Sequence, residues 1–430
     1  MNLKREYFYK HQLEIILIFG ILLRIIVFIF QGPFNNDDHF VIIQYIHNHL
    51  AFPVFLSDHP PLYYILASLF FSDNVKTVQL FSLILSIGSI VVIYRLIKSL
   101  NFIQPLKTKR YCLLLACTLP QLIMFGNYIS NDTLSFFIGV LIFSQIFKYI
   151  YNPNMINQNI LAVYLGLGLL TKGTFLFFIP VLLLLIILIN LKRKINFKKI
   201  ALSLLVFICI FLALGSYKYV QNTVHFGRPI VTYNTNEPMY IGLESVLKSI
   251  SDVNILKLLR YPTVSEHTNR SYLLLLYGTF WYQYIPESNF EGNMTVFKYL
   301  GSCIYVLALV PTLIFFIGSF KILFSIKNLF RHKISEELLF NNTIYEAISL
   351  FLLLSSLLMI IILGVKQDLW SWFQSRYMFP CFFSVIILFN SGLKYINRKN
   401  KMIQNIATYS MVCLFFLFIT YFVIEIGRQV

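Results

Sequence analysis

The sequence predicts an all-α integral membrane protein, a polytopic bundle of about 11 transmembrane helices with interfacial helices in its first outer loop. Three observations predict it. Of 430 residues, 58% are hydrophobic and 12% are charged, where soluble domains carry about 25% charged residues. Apolar runs near the length needed to cross hydrocarbon, about 20 residues, recur along nearly the whole chain. The basic residues fall in short connections between those runs, as they do in cytoplasmic loops. Lys and Arg number 35 against 18 Asp and Glu, a balance of +17. In a soluble protein that balance would suggest nucleic acid; spread over membrane connections, it implies no nucleic-acid partner.

On the 20-residue ruler, spans fall at 12–31, 77–97, 111–127, 132–150, 159–170, 174–191, 200–220, 299–325, 346–364, 377–393 and 403–424. They form one domain over 1–430. The opening run QLEIILIFGILLRIIVFIFQG is too long for a signal-peptide core and is expected to stay as an uncleaved anchor. The pair 159–170 and 174–191 reads either as two imperfect crossings or as one re-entrant unit. The connections KSLNFIQPLKTKR, KRKINFKK, KNLFRHK and KYINRKNK are the basic ones. With those inside, the amino terminus is cytoplasmic and the carboxyl terminus lies outside. The loop 32–76, the turns 130–132 and 171–173, the segment 221–298 and the loop 365–376 then share the outer face. The six cysteines lie in apolar runs without metal-ligand spacing and read as packing residues.

In the first outer loop, DDHFVIIQYIHNHL spaces Phe40, Ile43, Ile46 and Leu50 at helical intervals, which suggests an amphipathic helix at the membrane surface. Pro60 and Pro61 separate it from LYYILASLFF, which is too short to span and whose Tyr63 and Tyr64 suit a lipid–water boundary. The segment 221–298, with Glu237, Glu244, Glu266, Glu287 and Glu291, is the one candidate for a small extramembrane subdomain.

The charged residues of the outer face admit two readings each. Asp37 and Asp38 either cap the following helix or include a general base whose pKa is raised by crowding against apolar surface. His59 is a substrate or metal ligand, or simply solvated. Lys172, in an otherwise apolar stretch, either snorkels to the surface or serves a function. Asp132 opens a helix. Arg24 lies deep in the first span and needs an anionic partner, for which Asp37 and Asp38 are the candidates. Arg376 and Tyr377 open the tenth span from outside. Together these residues converge on one outer cavity with two acids and at least two cations.

Several stretches resemble the polytopic glycosyltransferases of the C superfamily, especially bacterial relatives of protein O-mannosyltransferases and of the aminoarabinose transferase. They are Arg24 in the first helix, NNDDHFVIIQYI followed by HPPLYYIL, SNDTLSF, LLTKGTF, NTVHFGRPI, YGTFWYQYIPES and QSRYMFP. The resemblance implies transfer of a sugar from a polyprenyl-phosphate carrier to an acceptor hydroxyl outside the cytoplasmic membrane, with inversion. The acceptor, a glycan, lipid or protein, is not identified. By the resemblance the catalytic acid is Asp37 or Asp38, with Asp-Asp followed at once by His39 where many relatives carry Asp-Glu. Lys172, Arg376 and Arg228 are then candidates to meet the carrier phosphate. His39, His59, Tyr63, Tyr64, Asp132 and Tyr377 complete the expected substrate-binding set. No nucleotide motif occurs. No cofactor is assigned with certainty, and a divalent cation is left open. A lipid-sugar flippase or transporter and a surface-polysaccharide polymerase or ligase are the competing classes. A transporter would line a path between both faces with charge, whereas here the charges gather on one side.

Overall fold

The computed structural model describes residues 11–31, 39–53, 59–72, 74–103, 105–231, 247, 249–262, 271–282, 294–331, 337–366, 374–399 and 401–429. In chain order the helices are α1 (Gln12–Phe30), α2 (His39–His49), α3 (Leu62–Ser68), α4 (Val75–Ser99), α5 (Leu106–Thr118), α6 (Pro120–Gly126), α7 (Asn131–Tyr151), α8 (Met155–Leu169), α9 (Ile179–Lys192), α10 (Phe197–Gly215) and α11 (Tyr217–Phe226). There follow α12 (Ile255–Arg260), α13 (Tyr272–Trp281), α14 (Met294–Arg331), α15 (Glu337–Lys366), α16 (Phe382–Lys399) and α17 (Lys401–Gln429). Two 3-10 segments, Gly173–Phe178 and Ser375–Cys381, lead into α9 and α16.

Among the described residues, nine helices, each 3-10 segment counted with the helix it feeds, are long and apolar enough to cross a membrane. The chain is a multi-pass membrane protein. The other two expected spans are shorter: 159–170 is α8, and 111–127 is divided between α5 and α6. Pro120 causes the division. It has no N–H to give to the carbonyl four residues back, so Leu119 turns out of the helix at ψ 120°, and Pro120 restarts it at the first position of α6.

Arg24 closes that break. It is fully buried, and α1 reaches α5 closely because a Cβ on Gly20 would lie 2.6 Å from Cys117 Sγ. The guanidinium donates to Ala116 O (3.0 Å), Cys117 O (2.9 Å), Gly20 O (3.1 Å) and Ser86 Oγ (2.9 Å). The expectation of a carboxylate partner is therefore corrected: the described bonds all go to neutral oxygens, two of them carbonyls at the end of α5. A helix end exposes orphan carbonyls with partial negative charge, and these attract a cation. Asp37 and Asp38 lie outside the described residues.

The helices that carry most of the core meet through small residues, as membrane helices do where close backbone approach replaces hydrophobic driving force. A Cβ on Gly318 of α14 would come within 1.9 Å of Leu388 O, and one on Gly392 of α16 within 1.9 Å of Ile314 O. Basic connections gather at one end of the bundle. There Lys109 Nζ donates to Lys98 O (3.1 Å), Lys394 lies over the Phe102 ring, Arg193 donates to Pro153 O (2.5 Å) and Lys192 lies over Phe340.

Two details of the first loop differ from expectation. In α2 the buried positions are His39, Ile42, Ile43 and Ile46, while Leu50 is 92% exposed where the helix ends at φ 51°. Tyr63 and Tyr64 are completely buried in protein, not seated at a lipid boundary. Within 221–298, α12 and α13 are tied to α14: Ser302 Oγ donates to Leu259 O (2.7 Å), and Trp281 Nε1 to Thr312 Oγ1 (3.0 Å). The five glutamates named for that segment lie outside the described residues.

Candidate active site

Asp132 is the centre of the polar cluster opposite the basic end. Ser130 caps α7: its hydroxyl accepts from Asp132 N (3.2 Å) and donates to Asp132 Oδ2 (3.1 Å), so the carboxylate is held against the helix N-terminus, where an anion is favoured. The cap is itself fixed from the first loop. Tyr63 OH accepts from Ser130 N (3.0 Å) and pairs with Ser82 Oγ (2.9 Å), and burial pushes the Tyr63 phenol up, so it stays neutral. The expected helix-opening role of Asp132 holds, and a second role accompanies it.

That second role is to hold two cations drawn from distant parts of the chain. Lys172 Nζ forms a short hydrogen bond and ion pair with Asp132 Oδ1, and Arg376 Nη1 lies 3.9 Å from Oδ2. Lys172 extends from the end of α8, where Lys172 N donates to Gly168 O (2.8 Å), and its ammonium sits 4.5 Å from the centroid of the Tyr377 ring. Arg376 comes from the second 3-10 segment and lies over Phe125 (5.8 Å) and Tyr377 (5.4 Å). Gly139, two turns along α7 from Asp132, makes this approach sterically feasible: a Cβ there would meet Pro380 O at 2.1 Å. Asp132 is 3% exposed, whereas Lys172 and Arg376 are 13% and 17% exposed. Among the described residues Asp132 is the carboxylate that both cations meet, and the cations keep the accessible edge. The arrangement suits an incoming anion such as a phosphate.

His39 stands beside the triad. Its Nδ1 is 2.7 Å from Tyr64 OH, and its ring lies 5.2 Å from that of His59. Burial first, then His59, hold its pKa well below the usual histidine range; Asp132 opposes, and Arg376 and Lys172 add to the lowering. It is a neutral imidazole at ordinary pH. The structure thus brings together His39, His59, Tyr64, Asp132, Lys172, Arg376 and Tyr377, with Tyr63 behind them. It does not bring Arg228 to the triad: that side chain is exposed on the turn after α11 and joins none of the triad's ion pairs. Asp37 and Asp38, the two positions before His39, lie outside the described residues. Among the described residues no three His, Cys, Asp or Glu side chains come together as a metal site, so a divalent cation has no described ligand set.

Ser130, Tyr63's grip on it, and the anchoring of Ser375 escaped the sequence. Ser375 N donates to Thr279 Oγ1 (2.9 Å) and Ser375 Oγ to Thr279 O (2.8 Å), which fixes the segment bearing Arg376. Ser130 was legible in principle, since a serine before Asn131-Asp132 is a helix-cap signal. The Thr279 contact joins positions 96 apart and carries no local signal.

Residues 58–217 match the family described as dolichyl-phosphate-mannose-protein mannosyltransferase. The matched stretch contains His59, Tyr63, Tyr64, Asp132 and Lys172, and leaves Arg376 outside. No curated protein sequence matches the chain. A crystal structure of ArnT from Cupriavidus metallidurans in the apo state aligns with a TM-score of 0.39 and 10% identity, covering 87% of this chain and 76% of that one. Over residues 58–217 the chain is similar to a family of glycosyltransferases, and the resemblance drawn from its sequence motifs is borne out there.

Proposed function

We propose that this protein is a membrane glycosyltransferase that moves a sugar from a polyprenyl-phosphate donor to an acceptor hydroxyl on the outer face of the cytoplasmic membrane. The observation that carries the reading is the Lys172–Asp132–Arg376 cluster, a buried carboxylate holding two cations whose outer edges stay accessible at the end of the bundle opposite the basic connections. An acceptor oxygen loses its proton to a carboxylate and attacks the anomeric carbon. The bond from that carbon to the carrier phosphate oxygen breaks, and its electron pair leaves with the phosphate. Lys172 and Arg376 face the charge that grows on the leaving group, which is where fixed cations favour the transition state over the ground state. Attack from the side opposite the phosphate inverts the anomeric centre.

The base in this reading is Asp37, the first acid of the loop, with Asp38 orienting it or capping α2. A general base contributes about 10² to 10⁴ in rate. Asp37→Asn should therefore lose activity on that scale with donor binding retained, and Asp38→Asn should lose less. If both variants turn over a purified polyprenyl-phosphate sugar at the wild-type rate, the mechanism is wrong. Orientation has its own check. Single cysteines at 60, 270 and 370 should react with an impermeant reagent from outside, and those at 105, 195 and 398 should not; outside labelling at 195 would invert the topology.

A further inference from the structure

The phosphate-facing cations do not explain everything buried around them. Gln374 opens the 3-10 segment that carries Arg376, is 1% exposed, and among the described residues neither Nε2 nor Oε1 of its carboxamide has a hydrogen-bond partner. Thr174 Oγ1, two residues after Lys172, and Tyr219 OH, 3.8 Å from where a Cβ on Gly173 would lie, are also buried without partners. Buried polar groups are nearly always paired, because an unmet donor or acceptor forfeits its hydration for nothing in return. A primary amide with both functions unmet is a strong exception.

The position of Gln374 is not loose. Its carbonyl accepts from Tyr377 N (3.2 Å), and Tyr377 is the residue whose ring lies beneath the Lys172 ammonium. The next residue, Ser375, is fastened to Thr279 by two hydrogen bonds. The backbone that carries the amide is therefore fixed, one turn of chain from Arg376 and Tyr377. Asn390 shares the unmatched amide, but it lies 14 residues from Arg376, roughly 20 Å along a helix at 1.5 Å per residue.

We propose that the Gln374 carboxamide recognises a pair of neighbouring hydroxyls on the sugar being transferred, and so sets which sugar the enzyme accepts. The inference rests on the transferase reading above. A carboxamide sets an NH₂ donor group and a carbonyl acceptor side by side, and two adjacent hydroxyls, one accepting and one donating, complement it. A charged phosphate would not satisfy the amide oxygen, and an apolar prenyl chain would satisfy neither atom. A sugar joined to a phosphate held at Lys172 and Arg376 places hydroxyls within the same neighbourhood.

The test uses the full chain reconstituted in lipid vesicles with polyprenyl-phosphate hexoses that differ from one another at single hydroxyls. The wild type should prefer one donor by at least tenfold. Gln374→Met, close in volume but apolar, should lower kcat/KM for that donor about ten- to a hundredfold while leaving the poorer donors within about twofold, so that selectivity flattens. The same variant should melt at an equal or higher temperature than the wild type, since it removes an unpaired buried amide. Gln374→Glu, which keeps acceptors and loses the donor, should also lose the preference. A uniform loss across all donors, an unchanged preference, or a wild type that does not discriminate would each overturn the proposal. A wild type that transfers no sugar from any polyprenyl phosphate would overturn the transferase reading as well; transfer with preference intact in Gln374→Met overturns this inference alone.

Discussion

Arg24 and the pair Lys172 and Arg376 are cations inside the same bundle, and their surroundings differ in kind. Arg24 is fully buried and meets four neutral oxygens, two of them carbonyls freed where Pro120 interrupts the helix. Lys172 and Arg376 share one carboxylate and retain exposed edges, and two residues along the chain from each stands a buried polar group, Thr174 or Gln374, with no partner among the described residues. A cation matched to a fixed set of acceptors belongs to the architecture. Cations that share a carboxylate and keep an accessible edge are placed where a ligand can reach them. The contrast predicts that equal substitutions in the two regions will give opposite phenotypes.

The largest effect on stability should come from Arg24→Met. It removes the donors for Ala116 O and Cys117 O, and each buried acceptor left unmet costs about 1–3 kcal/mol. Thermal unfolding in detergent should register a large loss, while any folded fraction keeps its affinity for the donor. A neutral melting temperature would mean that water or a rearranged neighbour serves those carbonyls equally well.

Gly139→Val should be milder and should fall on both regions at once. The added atoms meet the Pro380 backbone, and overpacking of this kind costs about 1–3 kcal/mol. Relief by displacement of the Ser375–Cys381 segment moves Arg376 away from Asp132, so donor affinity should fall together with stability. Restored affinity in Gly139→Ser relative to Gly139→Val would grade the effect by side-chain size.

The smallest effect is a pH dependence. The folded state holds His39 neutral with its pKa below the unfolded value, so below the unfolded pKa the unfolded chain binds more protons than the fold. The contribution is complete above the ordinary histidine range and is lost as pH falls through it, with a limiting slope of about 1.4 kcal/mol per pH unit. Comparing melting temperatures at neutral and mildly acid pH, the wild type should lose more than His39→Gln. An equal loss would show that other groups govern the acid side.

How much of this was legible follows from how local each signal is. The spans were readable because hydrocarbon thickness fixes a length that any 20-residue apolar run reveals. The division of 111–127 was readable too, since Pro120 stands in the sequence, but a window of hydropathy passes over one proline. That the polar cluster gathers at the end of the bundle opposite the basic connections could be read from those connections alone. What its residues do there could not: Asp132 and Lys172 are 40 positions apart, and Arg376 enters from the far end of the chain, so only tertiary packing shows that one acid binds both. Tyr63 and Tyr64 misled for the reverse reason. Their amphipathic rings suit a membrane surface on composition, yet Tyr63 instead holds the Ser130 cap and Tyr64 the His39 imidazole. Leu50 fitted the helical stripe by spacing and lost it because the chain turns left-handed there.

The central claim is that Lys172 and Arg376 receive the carrier phosphate, and the most direct measurement is the affinity of the purified protein for a polyprenyl phosphate. A charge-assisted contact is worth about 1.5–3 kcal/mol, so Lys172→Met and Arg376→Met should each weaken binding about ten- to a hundredfold while the protein stays folded, and Arg24→Met should leave the affinity of its folded fraction unchanged. Wild-type affinity in both Lys172→Met and Arg376→Met would contradict the assignment and return these residues to the role of membrane-surface anchors.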